Sequence, residues 1–131
     1  MAGGLGGGWS IVGSGSVGNW TVIYAKGIVA FAGGGQVGAT ELPTQVSGSA
    51  EYRVDTAAAN NASVKPSTLG AINMQLTVLN RAGNGNSIIF YPFGGTEDIL
   101  MPDDSSVSQI EIADGNQLTL FMYDLLTWTI Q

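Results

Sequence analysis

Few side chains in this 131-residue chain can do chemistry: it has no Cys, no His, ten carboxylates, four bases (Lys26, Arg53, Lys65, Arg81) and many Ser and Thr hydroxyls. Without thiols or imidazoles there is no thiolate nucleophile, no zinc ribbon, no disulfide framework and no near-neutral proton shuttle. A serine nucleophile needs an activating base, and the chain has neither a histidine nor a Gly-x-Ser-x-Gly elbow. What remains is carboxylate chemistry. Two acids facing each other across a groove could hydrolyse a glycosidic bond, but one of them needs apolar surroundings that raise its pKa. No acid here lies inside an apolar run. Asp103-Asp104, with Glu97 and Asp98 close in sequence, offers oxygens for a weak calcium site. The alternating acids, glycine and closing glutamate of an EF-hand loop are absent, so solvated turn acids are the simpler assignment. The chain is therefore expected to be no enzyme, with no catalytic residue, cofactor or resident metal.

Other motifs weaken against their neighbours. Gly13-Ser14-Gly15-Ser16-Val17-Gly18 matches the G-x-G-x-x-G dinucleotide fingerprint, which requires a helix to follow. Asn19-Trp20-Thr21-Val22-Ile23-Tyr24 follows instead, a strand sequence, so the glycines are expected to make a turn. Asn19-Trp20-Thr21 and Asn61-Ala62-Ser63 fit the glycosylation sequon, yet Met-Ala-Gly-Gly-Leu opens the chain without a signal-like leader. The longest apolar stretch, Val22 to Ala32, is broken by Lys26 and Gly27, so no membrane span is expected. Four scattered bases and a net charge of −6 make a poor phosphate-binding surface, and no nucleic acid is expected. These features suit a protein made in the cytoplasm and not bound to membrane.

The elements that must position these residues are strands. The length suits one domain, and 44 % apolar residues can build a core. Only 11 % are charged, against roughly 25 % in ordinary soluble domains. From Ala71 to Asn80, Ile72, Met74, Leu76 and Val78 alternate with polar residues, which predicts one buried and one wet face. The glycine and asparagine run from Arg81 to Asn86 predicts a hairpin turn into a short strand, Ser87 to Tyr91, stopped by Pro92. Short strands are also expected at Asp98 to Met101 and at Ser106 to Ile112, with Asp114-Gly115 as a primed turn. Gln117 to Tyr123 and Leu126 to Ile130 should pair about Asp124. Earlier strands are expected at Trp9 to Val12, Asn19 to Ala25 and Ile28 to Ala32, bounded by glycines. Glu51 to Thr56 fits a strand, and Ala57 to Ser63 a loop or one helical turn. The fold class predicted is all-β, an antiparallel β-sandwich or jelly roll spanning residues 9–131.

Residues 1–8 form an extended glycine-rich arm in this scheme. Ordering it costs on the order of 10 kcal/mol, and burying Leu5 returns about 2 kcal/mol. The arm is thus either flexible or clamped between surfaces of an assembly. Gly3, Gly4, Leu5, Gly6, Gly7, Gly8 and Trp9 are accordingly candidate inter-subunit contacts. Alternation also turns Phe121 and Tyr123 outward, where they would form a sugar platform, a subunit interface or the core of a second packed sheet.

The stretch Met74-Gln75-Leu76-Thr77-Val78-Leu79-Asn80, the glycine and asparagine turn, Ser87-Ile88-Ile89-Phe90-Tyr91-Pro92-Phe93-Gly94-Gly95, an acidic proline turn, then Leu118-Thr119-Leu120-Phe121 and Leu126-Thr127-Trp128-Thr129-Ile130, resembles small tailed-phage virion proteins. Capsid decoration (cement) proteins and β-rich head or tail accessory proteins belong to that group. The resemblance covers roughly residues 70–131, and Asp103-Asp104 stands where small residues are more usual. It implies a homo-oligomer, trimer or dimer, seated on the major capsid protein lattice and bridging neighbouring coat subunits in a virion built in the host cytoplasm. The rival expectation is a tail or fibre component that binds host-surface glycan through exposed Trp and Tyr.

Overall fold

The computed structural model describes residues 10–17, 20–45, 47–94 and 96–131, with side-chain positions from residue 22 onward. Every regular element among them is a strand. The chain runs β1 (Ser10–Val17), β2 (Trp20–Val29), β3 (Thr40–Glu41), β4 (Ser49–Thr56), β5 (Ala62–Lys65), β6 (Gln75–Asn80), β7 (Ile88–Phe90), β8 (Asp98–Leu100), β9 (Ser106–Val107), β10 (Ile110–Ile112), β11 (Gln117–Asp124) and β12 (Thr127–Ile130). The expected all-β class holds, and the pairing of β11 with β12 across Asp124 and Thr127 is as predicted. The expected arm, residues 1–8, and Trp9 lie outside the described residues.

The strands form an eight-stranded sheet, ordered β1-β2-β4-β6-β11-β12-β8-β9, and a four-stranded sheet, ordered β10-β7-β5-β3. Both sheets are mixed, which corrects the expectation of antiparallel pairing alone. β2, β4 and β6 lie parallel, with Val22 beside Ser49 and Ser49 beside Gln75. β3, β5 and β7 lie parallel in the other sheet, with Thr40 beside Val64 and Val64 beside Phe90. The chain therefore winds in three coils, each contributing one strand to each sheet, at a repeat of roughly 26 residues. A fourth level runs the opposite way: β10 pairs antiparallel with β7, and β11 antiparallel with β6.

The core lies between the sheets. Val54, Leu76, Val78, Leu120 and Met122 come from the larger one, and Val64, Ile88 and Phe90 from the smaller. Stacked coils bury a continuous interior that no single coil could build alone.

Turns read as hairpins are crossings between sheets. The run from Arg81 to Asn86 carries the chain from β6 to β7 in the other sheet, and Asp114-Gly115 carries it back from β10 to β11. Gly83, Gly85 and Gly115 do take positive φ, at 74°, 84° and 85°. The asparagines bind neighbouring coils: Asn84 and Asn86 Nδ2 donate to Ala57 O at 2.9 and 2.8 Å. Buried Asn80 donates to Asn86 O and Ile112 O, both at 3.0 Å. The segment 57–61 is another crossing, the loop of the two expected alternatives and not a helical turn. Gly13 and Gly15 lie within β1 instead of forming a turn, and β2, not a helix, starts at Trp20. Ile72, expected on the buried face, is half-exposed in a turn before β6.

Candidate interaction surface

One face of the eight-stranded sheet covers the core, and among the described residues no element packs on the other. Residues two apart on each strand share that outer face, and the register sets them in rows. Tyr24, Glu51, Thr77 and Thr119 form one row; Val22, Ser49, Gln75, Phe121 and Thr129 form the next. The Thr77 and Thr119 hydroxyls lie 3.0 Å apart across β6 and β11. Over β2, β4 and β6 the face dips into a shallow depression of about 230 Å³, lined by Val22, Tyr24, Ser49, Glu51, Gln75 and Thr77.

Charge lies on the β2 and β4 side and at one end of the β11 and β12 side, where exposed Asp124 and Asp98 flank Thr127. Arg53 Nε meets Asp55 Oδ1 at 2.7 Å, and Asp55 Oδ2 accepts the Gly27 N–H at 2.6 Å. Hydrogen bonds that it donates to Tyr24 and Asp55 hold the Arg53 guanidinium pKa above its ordinary value. This pair is exposed, so its contribution to stability is small. On the β6, β11 and β12 side the outward residues Gln75, Thr77, Leu79, Gln117, Thr119, Phe121, Tyr123, Thr127 and Thr129 are uncharged, and Asp124 beside Thr127 is the acid at their end.

Phe121 and Tyr123 lie on this side, as alternation predicts. Their ring centroids are 4.4 Å apart with planes tilted by 43°, and Tyr123 is exposed. Trp128 is instead turned into the core. Tyr52 is also buried; its hydroxyl donates to Pro43 O at 2.6 Å, and burial pushes the phenol pKa up. Neither belongs to a surface platform, which leaves Phe121 and Tyr123 as the aromatic pair of this face.

The acids in the Glu97 to Asp104 stretch are kept apart. Glu97 faces inward: Oε2 accepts the Gly70 N–H at 2.6 Å, and Oε1 accepts the Phe93 N–H at 3.1 Å and Trp128 Nε1–H at 2.9 Å. Those donors occupy the oxygens that a cation would need, and Glu97 ties three segments together. Asp103 caps its own turn by accepting from the Ser105 N–H and hydroxyl, which hold its carboxyl below the usual range. Among the described residues no three acids come together as a metal site.

Sequence reasoning missed the tip of the β11–β12 hairpin. Asp124 pairs with Thr127, so Leu125 and Leu126 make up the whole loop. Both are exposed, and Leu126 has φ 68°. The signal was present as a strand break with no Gly or Asn at the turn, where either would relieve the left-handed conformation.

No known protein family matches this chain, and neither a curated protein nor a solved structure does.

Proposed function

We propose that the protein is a non-enzymatic virion structural protein of the capsid decoration (cement) type, a homo-oligomer that docks on the major capsid protein and bridges neighbouring coat subunits. The two sheets packed on one core serve as the sandwich or jelly-roll body of that type. The observation that carries this reading is the row of uncharged residues on the outer face of β6, β11 and β12, the Phe121–Tyr123 pair among them. Such a face loses little polar solvation when another protein covers it, and aromatics are enriched at the centres of interfaces. Repetition around a symmetric oligomer multiplies modest contacts by avidity. The glycine-rich arm, Gly3 to Trp9, adds a segment suited to lying across a neighbour.

The test is heat or osmotic challenge of purified particles with and without the protein. Added protein should raise the temperature of genome release, and Tyr123→Asp should abolish the effect. Particles equally labile with and without it would refute the proposal. A second reading, a tail component binding host glycan, is favoured by the hydroxyls and amides of Thr129, Thr119 and Gln75 around the same aromatic pair. Glycan binding by the isolated protein that is lost in Tyr123→Ala would select it.

A further inference from the structure

The β11–β12 turn places leucines where a two-residue loop favours Asn, Asp or Gly. Leu126 holds φ 68°, a left-handed conformation that crowds its Cβ against the backbone. Leu125 is 61 % and Leu126 37 % exposed, so most of Leu125 and about a third of Leu126 stay open to a partner. A second apolar element stands beside it. The Asn73 N–H donates to Met122 O at 2.8 Å, which holds the 71–74 turn, with its half-exposed Ile72, against the end of β11. The exposed parts of Ile72, Tyr123, Leu125 and Leu126 total roughly 400 Å², the size of the largest apolar patch on a typical monomer, which is often functional. That is about half of the ~800 Å² per partner in a standard interface.

The charges around the patch select its occupant. Asp124 begins the turn, and the Asp98 N–H donates to Leu126 O at 3.0 Å, so two exposed acids flank the leucines. Residues 82–131 hold seven acids and no base. A second copy docked through the same patch would set acid against acid, and an anionic lipid surface would be repelled as well. We infer that the Leu125–Leu126 turn, with Ile72 and Tyr123, is a docking knob for a partner protein whose apolar recess is rimmed by lysine or arginine. The inference stands independently of the virion reading, because it rests on the knob and its acidic rim alone.

The full chain is titrated with a synthetic amphipathic helical peptide of leucine and lysine, followed by calorimetry, with a leucine and glutamate peptide as control. Binding to the basic peptide should weaken as salt is raised. It should fall about tenfold or more in Leu125→Ser/Leu126→Gly, as expected for loss of a central apolar anchor. Glycine suits the left-handed position, so Leu126→Gly alone should keep or raise the melting temperature, which separates lost docking from lost folding. The inference is overturned if neither peptide binds, if the glutamate peptide binds equally, or if the double variant binds the basic peptide like the wild type. It is also overturned if sedimentation shows a dimer that the double variant dissociates, or if neutral phosphatidylcholine vesicles bind through the leucines.

Discussion

Replacing Glu97 by Gln tests whether one buried carboxylate holds three segments of the stack together. The side chain is 4 % exposed and accepts from Gly70 N–H, Phe93 N–H and Trp128 Nε1–H. These donors come from the segment before β6, the turn after β7, and β12. A glutamine keeps one acceptor oxygen. With that oxygen toward Phe93 and Trp128, its NH₂ group faces the Gly70 N–H; flipped, it faces the other two donors. Either way a buried N–H loses its acceptor. Losing one charge-assisted bond costs about 1.5–3 kcal/mol, and a stranded donor adds to that. Removing the desolvation cost of a buried charge offsets part of the loss. The net expectation is a destabilisation of about 2 kcal/mol, or roughly 8 °C in Tm for a chain of this size. Glu97→Ala, which strands all three donors, should cost about 4 kcal/mol. Thermal unfolding followed by circular dichroism, with urea titrations to show an unchanged m-value, measures both. The exposed neighbour Asp98→Asn is the control and should stay within about 0.5 kcal/mol of wild type. A Glu97→Gln protein melting within about 2 °C of wild type would refute the clamp.

A Cβ at Gly70 would lie 2.7 Å from Trp128 Cζ2 and 2.8 Å from Met122 Cε. Gly70→Ala should therefore destabilise by about 1–3 kcal/mol, measured as a lower urea midpoint. At Gly94 only the flexible end of Gln36 is in the way, and Gly94→Ala should fall within about 0.5 kcal/mol of wild type. The N–H groups of Gly85 and Gly83 hold the Asp114 carboxyl below the usual range. A carboxyl depressed in the folded state contributes stability above its ordinary value and loses it as pH falls through the folded value. Asp114→Asn should thus unfold at lower urea than wild type at neutral pH, and the gap should close in acid. A gap that stays constant with pH would show that the Gly83 and Gly85 bonds do not act through charge.

The legible parts of the fold were those where one face of a strand stays open. β4, β6 and β11 alternate buried and outward residues, and that pattern alone turned Phe121 and Tyr123 to the surface. Alternation records burial and says nothing of strand direction, so β4 and β6 look alike whether parallel or antiparallel. The crossing at 81–86 resembles a hairpin turn because glycine supplies the same positive φ to either. Its asparagines bond to carbonyls of other coils, and those partners are distant in sequence. Ile72 misled for a related reason: its spacing matches Met74 and Leu76, but the chain turns before β6 begins.

By itself the sequence determined the chemistry withheld from this protein and the β character of its body. Side-chain inventory and period-two patterning are local properties, independent of what packs on what. Only the tertiary structure decided that Glu97 faces three N–H donors, that β2, β4 and β6 run parallel, and that the 71–74 turn packs against the end of β11. Each of these depends on contacts between segments tens of residues apart, whose stacking in coils leaves no trace in the spacing of residues along any one strand.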